Sequence, residues 1–235
     1  MNLLLVTQQE IDNQGCVLLT DRRHQHIQNI HRLKVGDTLQ AGVINGLCGE
    51  AEIIEQQSHA TRLKLNLYKQ PPAPLPVTLL LALPRPRMLA RSLEHLATLG
   101  VKKLVLMQTN RVEKSYWQSP ELKPEKIHQH LILGLEQAKD TLLPEVIFKN
   151  RFKPFVEDEL ASLAANSLKL VAHPGNYPTC PRNIDQQLTL AIGPEGGFVD
   201  YEIQLLEAQN FQPVQMGERI LRVETAVTAL LSRLF

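Results

Sequence analysis

Leu190-Ala191-Ile192-Gly193-Pro194-Glu195-Gly196-Gly197-Phe198 is the stretch on which the fold of this 235-residue chain turns. An apolar strand runs straight into three glycines within five residues. Glycines at such a place allow positive φ and let a ligand approach the backbone closely. The run is not GxGxxG and lacks the Lys-Ser/Thr ending of a P-loop, which argues against dinucleotide or ATP binding. Taken alone it admits two readings: a ligand loop, or a strand-to-helix turn with Asp200 opening the next helix. Working outward, apolar strands at 77–83, 101–107, 145–148, 168–172 and 188–192 alternate with helices at 87–99, 124–139, 156–166, 200–209 and 224–235. This alternation predicts an α/β fold with a mainly parallel sheet and helices on both faces. Ligands in such sheets sit at the loops beyond the strand carboxyl ends.

Upstream, Gln70-Pro71-Pro72-Ala73-Pro74-Leu75-Pro76 cannot continue a helix or a central strand and reads as a stiff, extended spacer. It divides the chain into a domain over 1–70, a linker over 71–76 and a domain over 77–235. The first domain reads as short strands at 3–7, 15–19, 39–44, 49–54 and 61–67. One helix at 21–33 lies among them, with Asp21 as N-cap and Ile27, Ile30 and Leu33 at helical spacing. Many short strands with one helix suggest a small β-barrel.

Composition narrows the classes. Hydrophobic residues make up 43% and the net charge is +1, which fits a soluble globular protein and excludes disordered and fibrous classes. A near-neutral chain does not coat nucleic acid by charge alone. Aromatic residues are only 5%, which argues against an aromatic platform as the main nucleic-acid device. Cys16, Cys48 and Cys180 are too few and too scattered for a disulfide framework or a cysteine zinc site, and a reducing cytoplasm is the simplest compartment. The apolar start reads as a strand and not as a signal peptide. No apolar run has the roughly 18 residues that suggest a membrane helix.

A second segment, Met216-Gly217-Glu218-Arg219-Ile220-Leu221-Arg222-Val223-Glu224-Thr225-Ala226, places two arginines and two glutamates before an apolar C-terminal helix. Gly217 closes a strand-like stretch, and Arg222 with Glu224 reads equally as a surface ion pair. Charge is also local. Residues 84–114 hold seven basic side chains (Arg85, Arg87, Arg91, Lys102, Lys103, Arg111 and Lys114) against Glu94 and Glu113, a net +5. Arg22, Arg23, Arg32 and Lys34 form a second group. Both can neutralise phosphates or form ordinary solvated faces. The histidines at 24, 26, 31, 128 and 130 do not share one helix face in a metal-binding pattern. Tyr116 and Trp117 read as base-stacking residues or as a loop anchor.

IGPEGGF followed by MGERILRVETA closely resembles the ribosomal RNA small subunit methyltransferase E family, of the SPOUT class. His173-Pro174 after the strand at 168–172 resembles the first of the family's three cofactor loops. His26, the run Ile30-His31-Arg32-Leu33-Lys34-Val35-Gly36-Asp37, Thr98-Leu99-Gly100-Val101, Asn110-Arg111, Glu136-Gln137-Ala138 and Pro144 also have family counterparts. The resemblance implies a PUA-like β-barrel that helps hold RNA, a trefoil-knotted α/β domain, and a homodimer. It implies S-adenosylmethionine as cofactor, no metal, and methylation of N3 of a uridine in 16S rRNA. The residues it implies for the cofactor are Ala172, His173, Pro174, Ile192, Gly193, Glu195, Gly196, Gly197, Met216, Gly217, Ile220, Leu221, Arg222 and Thr225. Arg222 is expected to face the uracil oxygens and stabilise the charge that develops as the N3 proton leaves. Glu224 and Glu195 are candidate bases, with the alternative that Glu224 only orients Arg222 and water takes the proton. Arg22, Arg23, Arg32, Lys34, Arg85, Arg87 and Arg111 are the expected RNA contacts.

The chain departs from the family pattern in its RNA-facing half. Leu83-Pro84-Arg85-Pro86-Arg87 stands where family members carry lysines, and Lys139-Asp140 where they tend to have Gly-Arg. Two other readings therefore accompany the first: a SPOUT enzyme for another RNA site, and an RNA-binding relative without useful catalysis.

Overall fold

In the computed structural model, which describes residues 2–235, the chain divides into two units. One comprises the residues through Ala73 together with Leu131–Leu143; the other comprises Pro74–His130 and Pro144–Phe235.

In the first unit, β1 (Leu4–Val6), β2 (Cys16–Leu19), β3 (Thr38–Val43), β4 (Cys48–Gln56) and β5 (Thr61–Lys69) form one sheet in the order β1-β3-β4-β5-β2. Only the β1–β3 pair is parallel. Where a barrel was expected, β1 and β2 are the edges of an open five-stranded sheet. Its inward residues, among them Leu4, Val6, Val17, Ala41, Ile53 and Leu63, make one core.

The helix expected over 21–33 is shorter and changes pitch. Asp21 caps α1 (Arg22–His26) by accepting the Arg23 N–H at 2.9 Å. A π-turn over Ile27–His31 follows, and Arg32 ends it in the left-handed conformation. A π-turn closes i→i+5, so a residue three positions on rotates off the buried face. Ile27 is fully buried in the core, whereas Ile30 is 67% exposed.

In the second unit, β6 (Val77–Ala82), β7 (Lys103–Met107), β8 (Glu145–Lys149), β9 (Leu168–Ala172), β10 (Leu188–Ile192) and β11 (Gln212–Val214) make one all-parallel sheet in the order β11-β9-β10-β6-β7-β8. Such strands are buried on both faces, which is why they read as unbroken apolar runs. Leu80, Val105, Val171 and Ala191 face a core that also contains Phe152, Phe155, Phe198, Ile203 and Leu206. Alternate residues such as Leu79, Leu81, Leu104 and Leu106 point the other way and are equally buried. Helices α2 (Pro86–Thr98) and α7 (Val223–Leu234) each bury an apolar stripe and pack together. Helix α3 (Pro124–Ala138) follows α2 in the chain, and its residues from 131 onward belong to the first unit. The helix expected at 156–166 starts earlier and is broken: α4 (Phe152–Pro154), a π-turn over Phe155–Glu159, then α5 (Leu160–Leu163). Helix α6 (Asp200–Ala208) follows the glycine turn.

Strand order reverses between β6 and β10. The register aligns Ile192 with Leu81 and Ala172, and Ala172 with Val214. The loops leaving β6, β9, β10 and β11 therefore emerge side by side at the switch point, where open α/β sheets bind ligands.

In the first sheet, Gly49 sits at a register shift, and a Cβ there would overlap the Asn66 carbonyl oxygen. Gly49→Ala should cost about 1–3 kcal/mol in urea unfolding followed by circular dichroism. An unchanged midpoint would contradict this close approach.

Candidate functional site

Three loops at that sheet edge line one cavity. From the end of β9 come Ala172, His173 and Pro174; from β10, Ile192, Gly193, Pro194, Glu195 and Gly197; from the segment after β11, Gln215, Met216, Gly217, Arg219, Ile220 and Leu221. Val214, Val223, Ala226 and Leu230 complete the wall.

Local chemistry fixes each loop. The His173 N–H donates to the Val214 carbonyl at 3.0 Å, locking the first loop to β11. The His173 ring tilts against Tyr177, and its Nδ1 is buried with no hydrogen-bond partner among the described residues. In the second loop the Gly197 N–H donates to Pro194 O at 2.7 Å, with Gly197 at φ +76°. A Cβ on Gly196 would lie 2.9 Å from Arg111 Cδ, because the Arg111 side chain crosses this glycine and donates to its carbonyl. Arg111 is positioned from below: Glu202, 2% exposed, accepts the Asn110 N–H at 2.6 Å and the Val199 N–H at 3.0 Å. In the third loop Gly217 has φ +112° and open space where a Cβ would stand.

Of the residues expected at the cofactor, eleven border this cavity and three do not. Gly196 borders a neighbouring recess with Tyr116 and Glu113, Arg222 borders an open cavity, and Thr225 is exposed on the first turn of α7. The wall residues the sequence reading missed include Val223, Ala226 and Leu230, whose i, i+3, i+7 spacing on α7 carried the signal. The open cavity is lined by Arg85, Arg87, Met88, Tyr116, Arg222 and Glu224 among others, and Glu195, Ile220 and Leu221 line both it and the first cavity. Glu195 is paired with Arg85 at 2.6 Å.

The basic residues separate into two kinds. Arg22 makes a bidentate pair with the buried Glu136, at 2.6 and 3.1 Å. Arg23 donates to Asp21, Glu10 and the Leu5 carbonyl, and its side chain is 13% exposed. Its donors are thus committed within the fold, which corrects the expectation of a phosphate contact there. Arg111 is likewise engaged by the glycine loop. Arg32, Lys34 and Arg87 are exposed. Asp140, where the family pattern is basic, is buried and accepts the Leu142 N–H at 2.9 Å. Among the described residues, no group of three or more His, Cys, Asp or Glu side chains is placed to hold a metal ion, and no helix is long and apolar enough to cross a membrane.

Comparison with known proteins places this geometry. Residues 71–235 match the model of the RNA methyltransferase domain family. The chain is 34% identical to the ribosomal RNA small subunit methyltransferase E of Treponema pallidum, over 97% of this chain and 88% of that one. The chain belongs to the ribosomal RNA small subunit methyltransferase E family. Its fold is shared by the methyltransferase E of Neisseria gonorrhoeae, solved bound to S-adenosylmethionine, with a TM-score of 0.75 at 18% identity over 99% of this chain and 95% of that one. A Legionella pneumophila methyltransferase, solved in complex with the same cofactor, superposes with a TM-score of 0.74 at 24% identity, covering 98% and 95% of the two chains.

In this family member, burial holds the His173 imidazole below the ordinary histidine range; Asp200 opposes this and Arg111 adds to it. The folded chain therefore takes up this proton less readily than the unfolded one. The contribution of this group to stability is complete above about pH 6.5 and is lost as the pH drops below it. Melting curves of the wild type and His173→Gln should converge as the pH falls from about 6.5 toward about 5. Curves that stay parallel would contradict a buried neutral imidazole.

Proposed function

We propose that this chain is an S-adenosylmethionine-dependent methyltransferase that modifies N3 of a specific uridine in 16S rRNA. The observation that carries the reading is the pair of adjoining cavities: one lined by the three loops, the other bordered by Arg85, Arg87 and Arg222, with Glu195, Ile220 and Leu221 shared between them.

The first cavity suits the cofactor on its own features. Its walls are mainly apolar, which suits the faces of an adenine ring. The glycines at 193, 197 and 217 bring backbone groups to its surface, and the unpartnered His173 Nδ1 offers a polar contact. We assign Ala172, His173, Pro174, Ile192, Gly193, Glu195, Gly197, Met216, Gly217, Ile220 and Leu221 to it. When bound, S-adenosylmethionine supplies a methyl group already activated on a sulfonium.

The chain's remaining task is the acceptor. Uridine N3 carries a proton near neutral pH and lies on the pairing edge, so the base must be unpaired and turned out of its stack. Arg222, at the lip of the open cavity, stabilises the negative charge that spreads to the uracil oxygens as the proton leaves. Glu224 borders the same cavity and is the carboxylate we assign to the proton, since Glu195 is engaged by Arg85. Arg32, Lys34 and Arg87 are the exposed side chains assigned to phosphates.

The family's knotted C-terminus and homodimer belong to this reading. Threading is supported by the segment after β9, which lies along α7: Ile184 N–H donates to Leu234 O at 2.6 Å and Arg233 Nε to Cys180 O at 2.6 Å. A partner copy is supported by Ile220, 73% exposed at the mouth of the site. A PUA-like role for the first unit is supported by its mainly antiparallel five-stranded sheet.

Mass-spectrometric mapping of 16S rRNA from a deletion strain tests the reaction. One N3-methyluridine should vanish, return with the wild-type chain, and fail to return with Arg222→Ala. In vitro, that variant should lose about 10²–10³-fold in turnover while binding the cofactor normally. Unchanged rRNA in the deletion strain would remove the reading.

A further inference from the structure

We infer that Tyr116 is the platform on which the acceptor pyrimidine stacks, an inference that rests on the methyl-transfer reading above. Tyr116 and Trp117 are neighbours on a single 3-10 turn over Lys114–Gln118, and the fold gives them different duties. Trp117 is the anchor. Its indole N–H donates to Gln108 Oε1 at 2.5 Å, and its ring meets Phe148 edge-on. Gln108 is itself fixed: its amide donates to the carbonyls of Thr109 at 2.6 Å and Val112 at 2.8 Å, and its backbone N–H to Lys149 O at 2.8 Å. The turn that presents Tyr116 is thereby tied to the carboxyl end of β7.

Tyr116 borders both the recess beside Gly196 and the open cavity containing Arg222 and Glu224. Its hydroxyl donates to Glu113 at 3.0 Å, which fixes the ring by its edge. Arg85, Arg87 and Arg222 border the same cavity. An aromatic ring fixed by its edge, on a cavity that Arg87 and Arg222 also border and that shares Glu195, Ile220 and Leu221 with the methyl-donor cavity, has the parts a turned-out nucleotide requires: a surface for the base and, in Arg87 and Arg222, positive charge for its phosphates. Arg85 is held by Glu195. Stacking tolerates any base, so Tyr116 sets position and leaves base identity to polar contacts.

The test has two arms on the full-length chain. In the first, methyl transfer to unmethylated 16S rRNA is measured for the wild type, Tyr116→Leu and Tyr116→Phe, together with S-adenosylmethionine affinity and melting temperature. Tyr116→Leu should lower kcat/KM about tenfold or more, with cofactor affinity and melting temperature unchanged, and Tyr116→Phe should recover most of the loss. In the second arm, 16S rRNA carrying 5-iodouridine is photo-crosslinked to the chain and the modified peptide is sequenced. The crosslink should fall on Tyr116. Wild-type kcat/KM in Tyr116→Leu, a matching loss of cofactor affinity, or a crosslink confined to other residues would overturn the inference. A wild-type chain that transfers no methyl to rRNA would remove the reaction reading, and the crosslink would still decide the stacking claim.

Discussion

The carboxyl edge of β10 is the constraint on which the site depends. The strand is hydrogen-bonded on both sides, by β6 and β9, and buried on both faces, so Ile192 cannot shift. The chain must nevertheless leave the sheet at once, beneath Phe198 and across Arg111, in a space that admits no Cβ at Gly193 or Gly196 without displacement. Because β9 and β11 keep register with this strand, His173 and Gln215 arrive beside it. The site is assembled from backbone, and its precision comes from the sheet.

Around that edge, arginine serves two purposes that net charge cannot separate. Arg22, Arg23 and Arg111 hold the fold: two satisfy carboxylates, and one spans the glycine loop. Arg85, Arg87 and Arg222 border an open cavity. A segment with net +5 therefore overstates the charge offered to solvent, since Arg111 and Arg85 are already engaged.

Much of this was legible in the sequence because it is governed by local rules. Unbroken apolar runs announced buried parallel strands, the glycines after Ile192 announced a turn without side chains, and Asp21 announced a helix start. What was hidden depended on partners far along the chain. Nothing near Ile30 signals the π-turn that exposes it. Pro213 disguises β11, which survives as an edge strand needing few donors. Arg23 looks like a surface charge until Glu10 and Asp21 are brought to it, and Arg111 looks like an RNA contact until Glu202 draws its loop onto the glycines. Tyr116 and Trp117 are adjacent in sequence, and only Gln108 and Phe148 distinguish them.

The central claim is that three chain segments, remote in sequence, form one cofactor cavity. Backbone amide chemical-shift mapping during titration with S-adenosylmethionine tests it most directly. The account predicts joint, saturable shifts in 172–174, 192–197 and 214–221, with the first sheet unaffected. Shifts in only one of these loops, or centred elsewhere, would contradict it.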